Sequence, residues 1–204
     1  MKINKNKFIY LISPNKINLN FFINLNKVLK TGKVGLFQMR FKRYSFSKQI
    51  LIGKKIKKIC KKNNVKFLIN DDPLLAKKLN ADGCHLGQKD INIVRAREII
   101  GNKIIGITCH NSIRLAKHAI KNKASYLAFG AFFLTKTKKV KYKADIKILH
   151  KVKRLTKTPL IAIGGINYTN YKKLLLNNAN FLAISSYIWN NKKYKPLKAI
   201  EKLK

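Results

Sequence analysis

KFLINDDPLLAKKLNADGCHLGQKD, residues 66–90, holds two short apolar runs, 66–70 and 83–86, separated by a lysine-bearing segment that opens at Asp72-Pro73. The runs are too short for helices. An aspartate followed by proline is a helix start, because the side chain caps and the ring fits the first turn. The stretch therefore reads as strand, helix, strand, and a crossover of this kind joins parallel neighbours. Each strand is followed by carboxylates, Asp71 and Asp72 after the first and Asp90 after the second.

Outward from this unit the pattern repeats. β-rich apolar runs recur at 8–13, 35–39, 66–70, 83–86, 104–108, 126–130, 160–164 and 181–186. Between them lie segments such as 91–100 and 113–120 in which apolar residues return every three or four positions, the helical period. Eight strand-helix units in about 200 residues predict an α/β fold, a single-domain (β/α)8 TIM barrel over residues 1–204. A doubly wound open sheet is the alternative, but the Gly-rich turn expected after its first strand is replaced by Ser13-Pro14-Asn15-Lys16.

Composition bounds the function. The chain carries 46 Lys and Arg against 7 Asp and Glu, a formal net charge of +39. Such charge attracts nucleic acid through counterion release, which makes a basic nucleic-acid-binding protein one reading. The lysines, however, are spread through helices, loops and both ends, with no aromatic-interleaved basic motif, so no specific nucleic-acid partner is expected. No apolar run approaches the roughly 18 residues of a membrane span, and the lysine-bearing start lacks a signal-peptide pattern, so the expectation is a cytoplasmic protein without a membrane partner. Cys60, Cys84 and Cys109 are widely spaced and read as reduced, buried thiols. A homo-oligomer is compatible with the sequence, which does not fix the state.

In a (β/α)8 barrel the chemistry gathers at the C-terminal ends of the strands. Gln38 and Arg40, Asn70 and Asp71, Gln88 and Asp90, Thr108 and His110, Gly164 and Gly165, and Ser185 and Ser186 all fall there. Asp71 and Asp90 end neighbouring strands and suit one hard cation, since Mg2+ takes one or two carboxylates plus water and phosphate oxygens. Helix capping is the competing reading for each, and it is preferred for Asp72. Arg40 and Lys42 alternate along an extended segment and can clamp a polyphosphate. Gly164-Gly165 with Ser185-Ser186 suits the phosphate cradle of the last two strands. Thr135-Lys136-Thr137-Lys138 offers hydroxyls and ammonium groups to phosphate oxygens, and is equally compatible with a solvated turn. His85 reads as a core histidine. No Ser-His-acid set and no Cys beside a base is suggested, so the constellation favours a leaving pyrophosphate over an activated nucleophile.

Seven ordered segments carry a family resemblance: Gln38-Met39-Arg40-Phe41-Lys42, Ile69-Asn70-Asp71, the run 81–90, Gly106-Ile107-Thr108-Cys109-His110, Phe129-Gly130 with 135–138, Ala162-Ile163-Gly164-Gly165-Ile166, and 183–186. Together they resemble the thiamine phosphate synthase family. The resemblance implies a transferase that condenses 4-amino-2-methyl-5-(diphosphooxymethyl)pyrimidine with thiazole phosphate, giving thiamine phosphate and pyrophosphate by a dissociative, Mg2+-assisted route. It implies catalytic roles for Arg40, Lys42, Thr108 and Lys138, and Mg2+ on Asp71 and Asp90. It implies binding of the pyrimidine diphosphate by the segment Gln38, Met39, Arg40, Phe41 and Lys42 with Asn70, Thr108 and Lys138. Thr135, Lys136, Thr137, Gly165, Ser185 and Ser186 would hold the thiazole phosphate. Phe41, Asp72 and Ala131 stand where the family commonly has an acid, an arginine and a proline, and Asp72 thereby adds negative charge near the proposed metal. The related thiazole tautomerase is the enzymatic alternative, and it carries a histidine at the position of Ala131.

Overall fold

In the computed structural model, which describes residues 6–134 and 142–204, eight parallel strands close into a barrel in which each strand pairs with its neighbour in sequence and the eighth returns to the first. They are β1 (Ile9–Ile12), β2 (Val34–Met39), β3 (Lys66–Asn70), β4 (Gly83–Leu86), β5 (Ile104–His110), β6 (Tyr126–Gly130), β7 (Leu160–Ile163) and β8 (Phe181–Ile184). Around them run α1 (Phe21–Leu29), α2 (Phe46–Lys62), α3 (Pro73–Lys78), α4 (Ile93–Ile100), α5 (Ile113–Lys121), α6 (Lys147–Lys153), α7 (Tyr171–Leu176), α8 (Ser186–Trp189) and α9 (Pro196–Glu201). The expected (β/α)8 barrel is the observed fold.

Strand alternation divides the apolar residues into two cores. Outward positions such as Ile9, Leu11, Phe37, Met39, Phe67 and Ile69 pack against the helices. Inward positions, among them Tyr10, Ile12, Leu36, Leu68, Tyr126, Ala128, Ile161 and Ala183, fill the barrel. Enclosing one such Leu or Ile stabilises the fold by about 1.5–3 kcal/mol, so tens of them hold the barrel against chain entropy. All three cysteines are free and buried. No helix among the described residues is long and apolar enough to cross a membrane.

The polar sequence signals set the helix starts. Ser45, Asp72, Asn92 and Ser112 each accept a hydrogen bond from the backbone N–H three residues on, at 3.3, 2.8, 2.9 and 3.2 Å. Such a cap is worth about 1 kcal/mol. Asn92 therefore starts α4 at Ile93, two residues after the expected 91, and Asp90 is left outside the helix. At β5 the pairing with β6 shifts between Thr108 and His110, which carries the strand two residues past its expected end. β8 stops at Ile184, and Ser185 and Ser186 belong to the start of α8 instead of the strand.

Candidate active site

The chain leaves β3 through a sharp turn at Asp71, whose φ of 64° lies in the left-handed region that aspartate tolerates better than most side chains. Its N–H donates to the His85 carbonyl at 2.8 Å, which locks the end of β3 against β4. Asp90 folds back, its Oδ2 accepting from the Gly87 N–H at 2.6 Å. The two carboxyl groups thereby come within hydrogen-bonding reach of each other. Burial opposes ionisation of Asp71, but the Lys42 ammonium, Asp90 and Asn70 outweigh it and hold that carboxyl below its ordinary range. Burial and the neighbouring Asp71 push the Asp90 carboxyl up, against the Gly87 N–H. Two carboxyls this close share either a proton or a cation.

Lys42 lies 2.6 Å from Asp71 Oδ2. The strand ends at Met39, and the chain turns with Tyr44 N–H on the Phe41 carbonyl, so Lys42 sits in a turn and not on the extended segment expected from sequence. Arg40 is held by its own N–H on Ser13 Oγ at 2.9 Å and by a guanidinium bond to Asn15 Oδ1 at 3.2 Å. Arg40 and Lys42 still line one open depression, together with Pro14, Asn15, Lys16 and Arg43. Met39 and Phe41, expected in the substrate-binding segment, correct that reading: their side chains are 1% and 2% exposed in the outer core, Phe41 against Phe21 and Tyr44. The period of two decides this, because Gln38 turns into the barrel and its odd-numbered neighbours turn out.

Asp72 is the cap of α3, its Oδ1 accepting from the Leu75 N–H at 2.8 Å, as the sequence leads one to expect. The extra negative charge near the carboxylate pair is thus engaged by a helix N-terminus, where the macrodipole favours it.

Inside the barrel a polar set lies below these charges. Gln38 Nε2 donates to the Tyr10 hydroxyl at 2.6 Å, and the Tyr10 and Tyr126 hydroxyls are 2.8 Å apart. Tyr126 Oη lies 2.9 Å from His85 Nδ1, and Thr108 Oγ1 lies 2.8 Å from His85 Nε2. Burial pushes the His85 ring down to about 4, so it is neutral near pH 7. His85 is the satisfied histidine expected, and Gln38 and Thr108 end its network. Gln88 Nε2 donates to the Thr108 carbonyl. The sequence reading missed Tyr10 and Tyr126; the available signal was a polar-tipped aromatic at an inward position of each strand. It also missed Gly106, where a Cβ would occupy the space of the Tyr126 ring.

At the far side of the barrel mouth Gly164 and Gly165 have φ of 102° and 65°, and a Cβ on Gly165 would strike the Leu134 carbonyl and Phe133. Asn170 Nδ2 holds the Gly165 carbonyl at 3.1 Å. Ser185 Oγ donates to the Ser13 carbonyl at 3.1 Å, tying the end of β8 to that of β1. α8 opens directly at Ser186, and the first N–H groups of any helix lack helical partners. Thr135, Lys136, Thr137 and Lys138 lie outside the described residues. His110 stacks on Tyr142 with centroids 4.1 Å apart.

Asp71 and Asp90 fit a hard divalent cation: two converging carboxylates, with no larger group of His, Cys, Asp and Glu among the described residues. The remaining ligands of such an ion would come from water and phosphate, the habit of Mg2+.

Comparison with known proteins gives the same result from sequence and from structure. The family model described as thiamine monophosphate synthase matches residues 9–188. Thiamine-phosphate synthase of Pelagibacter ubique (strain HTCC1062) is 66% identical over 204 residues, covering 100% of this chain and 98% of that protein. Thiamine-phosphate synthase of Erythrobacter litoralis (strain HTCC2594) is 38% identical over 187 residues, 89% of this chain and 88% of that one. Among solved structures, thiamine phosphate pyrophosphorylase from Pyrococcus furiosus superposes with a TM-score of 0.85 at 29% identity, covering 98% of this chain and 95% of its own. With a family model spanning most of the barrel and relatives matched along nearly their whole length, the chain belongs to the thiamine monophosphate synthase family, transferases of thiamine biosynthesis.

Proposed function

We propose that this chain joins an aminopyrimidine bearing a diphosphooxymethyl group to a thiazole phosphate, releasing pyrophosphate, with Mg2+ held by Asp71 and Asp90. The observation that carries the reading is the convergence of that carboxylate pair with Lys42, which lines one open depression with Arg40. A carboxylate pair with cationic side chains at hand is what a departing polyphosphate needs.

Bound there, Mg2+ would neutralise charge on the diphosphate oxygens. Arg40 and Lys42 bind the same oxygens, and Asn70 keeps Asp71 oriented toward them. The C–O bond to the diphosphate breaks with its electron pair going to the leaving oxygen, and the thiazole nitrogen lone pair makes the new C–N bond. No proton is removed in that exchange, so His85 is free for a structural role inside the barrel. Gln38 and Thr108 orient the pyrimidine, while Gly165 and Ser186 supply main-chain N–H groups to the thiazole phosphate. Lys138 and the hydroxyls of Thr135 and Thr137 complete the proposed anion contacts. Ala131 carries no titratable group, and its main chain is bonded to Tyr142 and Ala144, which favours group transfer over thiazole proton transfer.

The test is to incubate the purified protein with both substrates and Mg2+ and assay thiamine phosphate and pyrophosphate. Formation of both in equal amounts is expected. Conversion of one thiazole tautomer into another, without product from the pyrimidine, would replace this reading with the tautomerase.

A further inference from the structure

Five side chains from five strands, Gln38, Tyr10, Tyr126, His85 and Thr108, form one hydrogen-bonded chain across the barrel. Its direction follows from the orientation of the Gln38 amide, whose Nε2 faces Tyr10. The Gln38 NH2 group can only donate, so the Tyr10 oxygen receives its proton. Tyr10 then has its own proton to place, and Tyr126 Oη is the acceptor within reach. Tyr126 in turn donates to His85 Nδ1. A neutral imidazole that accepts at Nδ1 carries its proton on Nε2, and Nε2 faces Thr108 Oγ1.

The two ends are thereby left with opposite characters. Thr108 accepts from His85, so its hydroxyl proton is free for something else. Gln38 Oε1 receives no bond from a described residue, and it is not among the enclosed polar atoms that lack a partner. The rings that carry the chain are fixed: His85 stacks on Tyr126 with centroids 5.6 Å apart, and Tyr10 meets Tyr126 edge-on at 5.7 Å. Gly106 leaves the space for the Tyr126 ring.

We propose that Tyr10, Tyr126 and His85 are positioning residues that fix the polarity of the polar set inside the barrel, an acceptor at Gln38 Oε1 and a donor at the Thr108 hydroxyl. That polarity selects a heterocycle which donates through an exocyclic amine and accepts through a ring nitrogen. The proposal rests on the pyrimidine half of the function given above. It accounts for discrimination against the 4-oxo form of the same ring, whose exocyclic oxygen would face the oxygen of Gln38. A site with fixed buried polar groups rejects the mismatched ligand because those groups are then left unpaired.

Two measurements test it. In 15N-histidine NMR of the ligand-free protein, His85 is expected as the Nε2–H tautomer, recognised by the shift of its Nδ1 signal in Tyr126→Phe. An Nδ1–H tautomer overturns the proposal. Calorimetric titration of the unmodified chain with the 4-amino and 4-oxo pyrimidine diphosphates should show a preference for the amino form of about tenfold or more. In Tyr126→Phe the ring of His85 and the amide of Gln38 are free to reverse, and the preference should fall below about threefold with thiazole phosphate affinity unchanged. Equal weakening for both pyrimidines, or an unchanged preference, means that Tyr126 only supports the fold, and sinks the proposal. If the unmodified chain binds neither pyrimidine, the ligand assignment falls. An Nε2–H tautomer would then place the failure in the reading of the function and not in the network.

Discussion

Lys42 Nζ and Asp71 Oδ2 are 2.6 Å apart, so the cation proposed for the diphosphate and the carboxylate proposed for the metal are each other's partners in the ligand-free chain. Lys42 is exposed while Asp71 is mostly enclosed, so the pair spans the edge of the barrel mouth. On the proposed function its consequence is exchange: a divalent ion held at Asp71 would release Lys42 toward the phosphates of the substrate. Metal and substrate binding would thus be coupled.

Lys42→Met should therefore tighten Mg2+ binding to the substrate-free protein several-fold while lowering kcat/KM for the pyrimidine diphosphate by about 10- to 100-fold. Isothermal titration with Mg2+ alone and steady-state kinetics check the two halves. Weaker Mg2+ binding in the variant would contradict the exchange.

Asp90→Asn keeps the size of the side chain and an acceptor for the Gly87 N–H but removes the second charge. Mg2+-dependent synthesis should fall by about two orders of magnitude or more, with an unchanged circular dichroism spectrum. Unchanged turnover would remove Asp90 from the site.

Asp72→Ala distinguishes this carboxylate from the proposed metal ligands. Loss of the cap on α3 should cost about 1 kcal/mol in denaturant unfolding, with kcat nearly retained. A collapse of activity at unaltered stability would return Asp72 to the metal site.

Gly106→Ala should destabilise by about 1–3 kcal/mol, since its methyl would need the space of the Tyr126 ring inside a packed barrel. Thermal denaturation measures it. A neutral effect would mean that the barrel interior can yield there.

His85 sets a pH dependence. Its folded value of about 4 lies below the ordinary 6.5, so between those values the unfolded chain binds more protons. Its contribution is full above pH 6.5 and is lost as pH falls toward 4, on the order of 2–3 kcal/mol. Urea unfolding of the unmodified chain and His85→Gln at pH 7 and pH 4.5 should show a smaller pH effect in the variant. Equal slopes would free His85 of the role.

The sequence by itself determined the architecture and pointed to one end of it for the chemistry. Alternation of short apolar runs with helical spacing, in eight units and without a Gly-rich first turn, favours a closed parallel barrel over an open sheet. In that solution the C-terminal ends of the strands gather at the mouth, which is why Gln38, Arg40, Asp71 and Asp90 could be singled out. Capping was legible too, because Asp72-Pro73 acts through atoms three residues away. Contacts between distant strands were not. The Tyr10 to Tyr126 bond, 116 residues apart in sequence, the Lys42 to Asp71 pair and the enclosure of Met39 and Phe41 depend on strand tilt, on register and on which side of the pleat each residue takes. Local spacing carries no record of those quantities; only closure of the barrel fixes them.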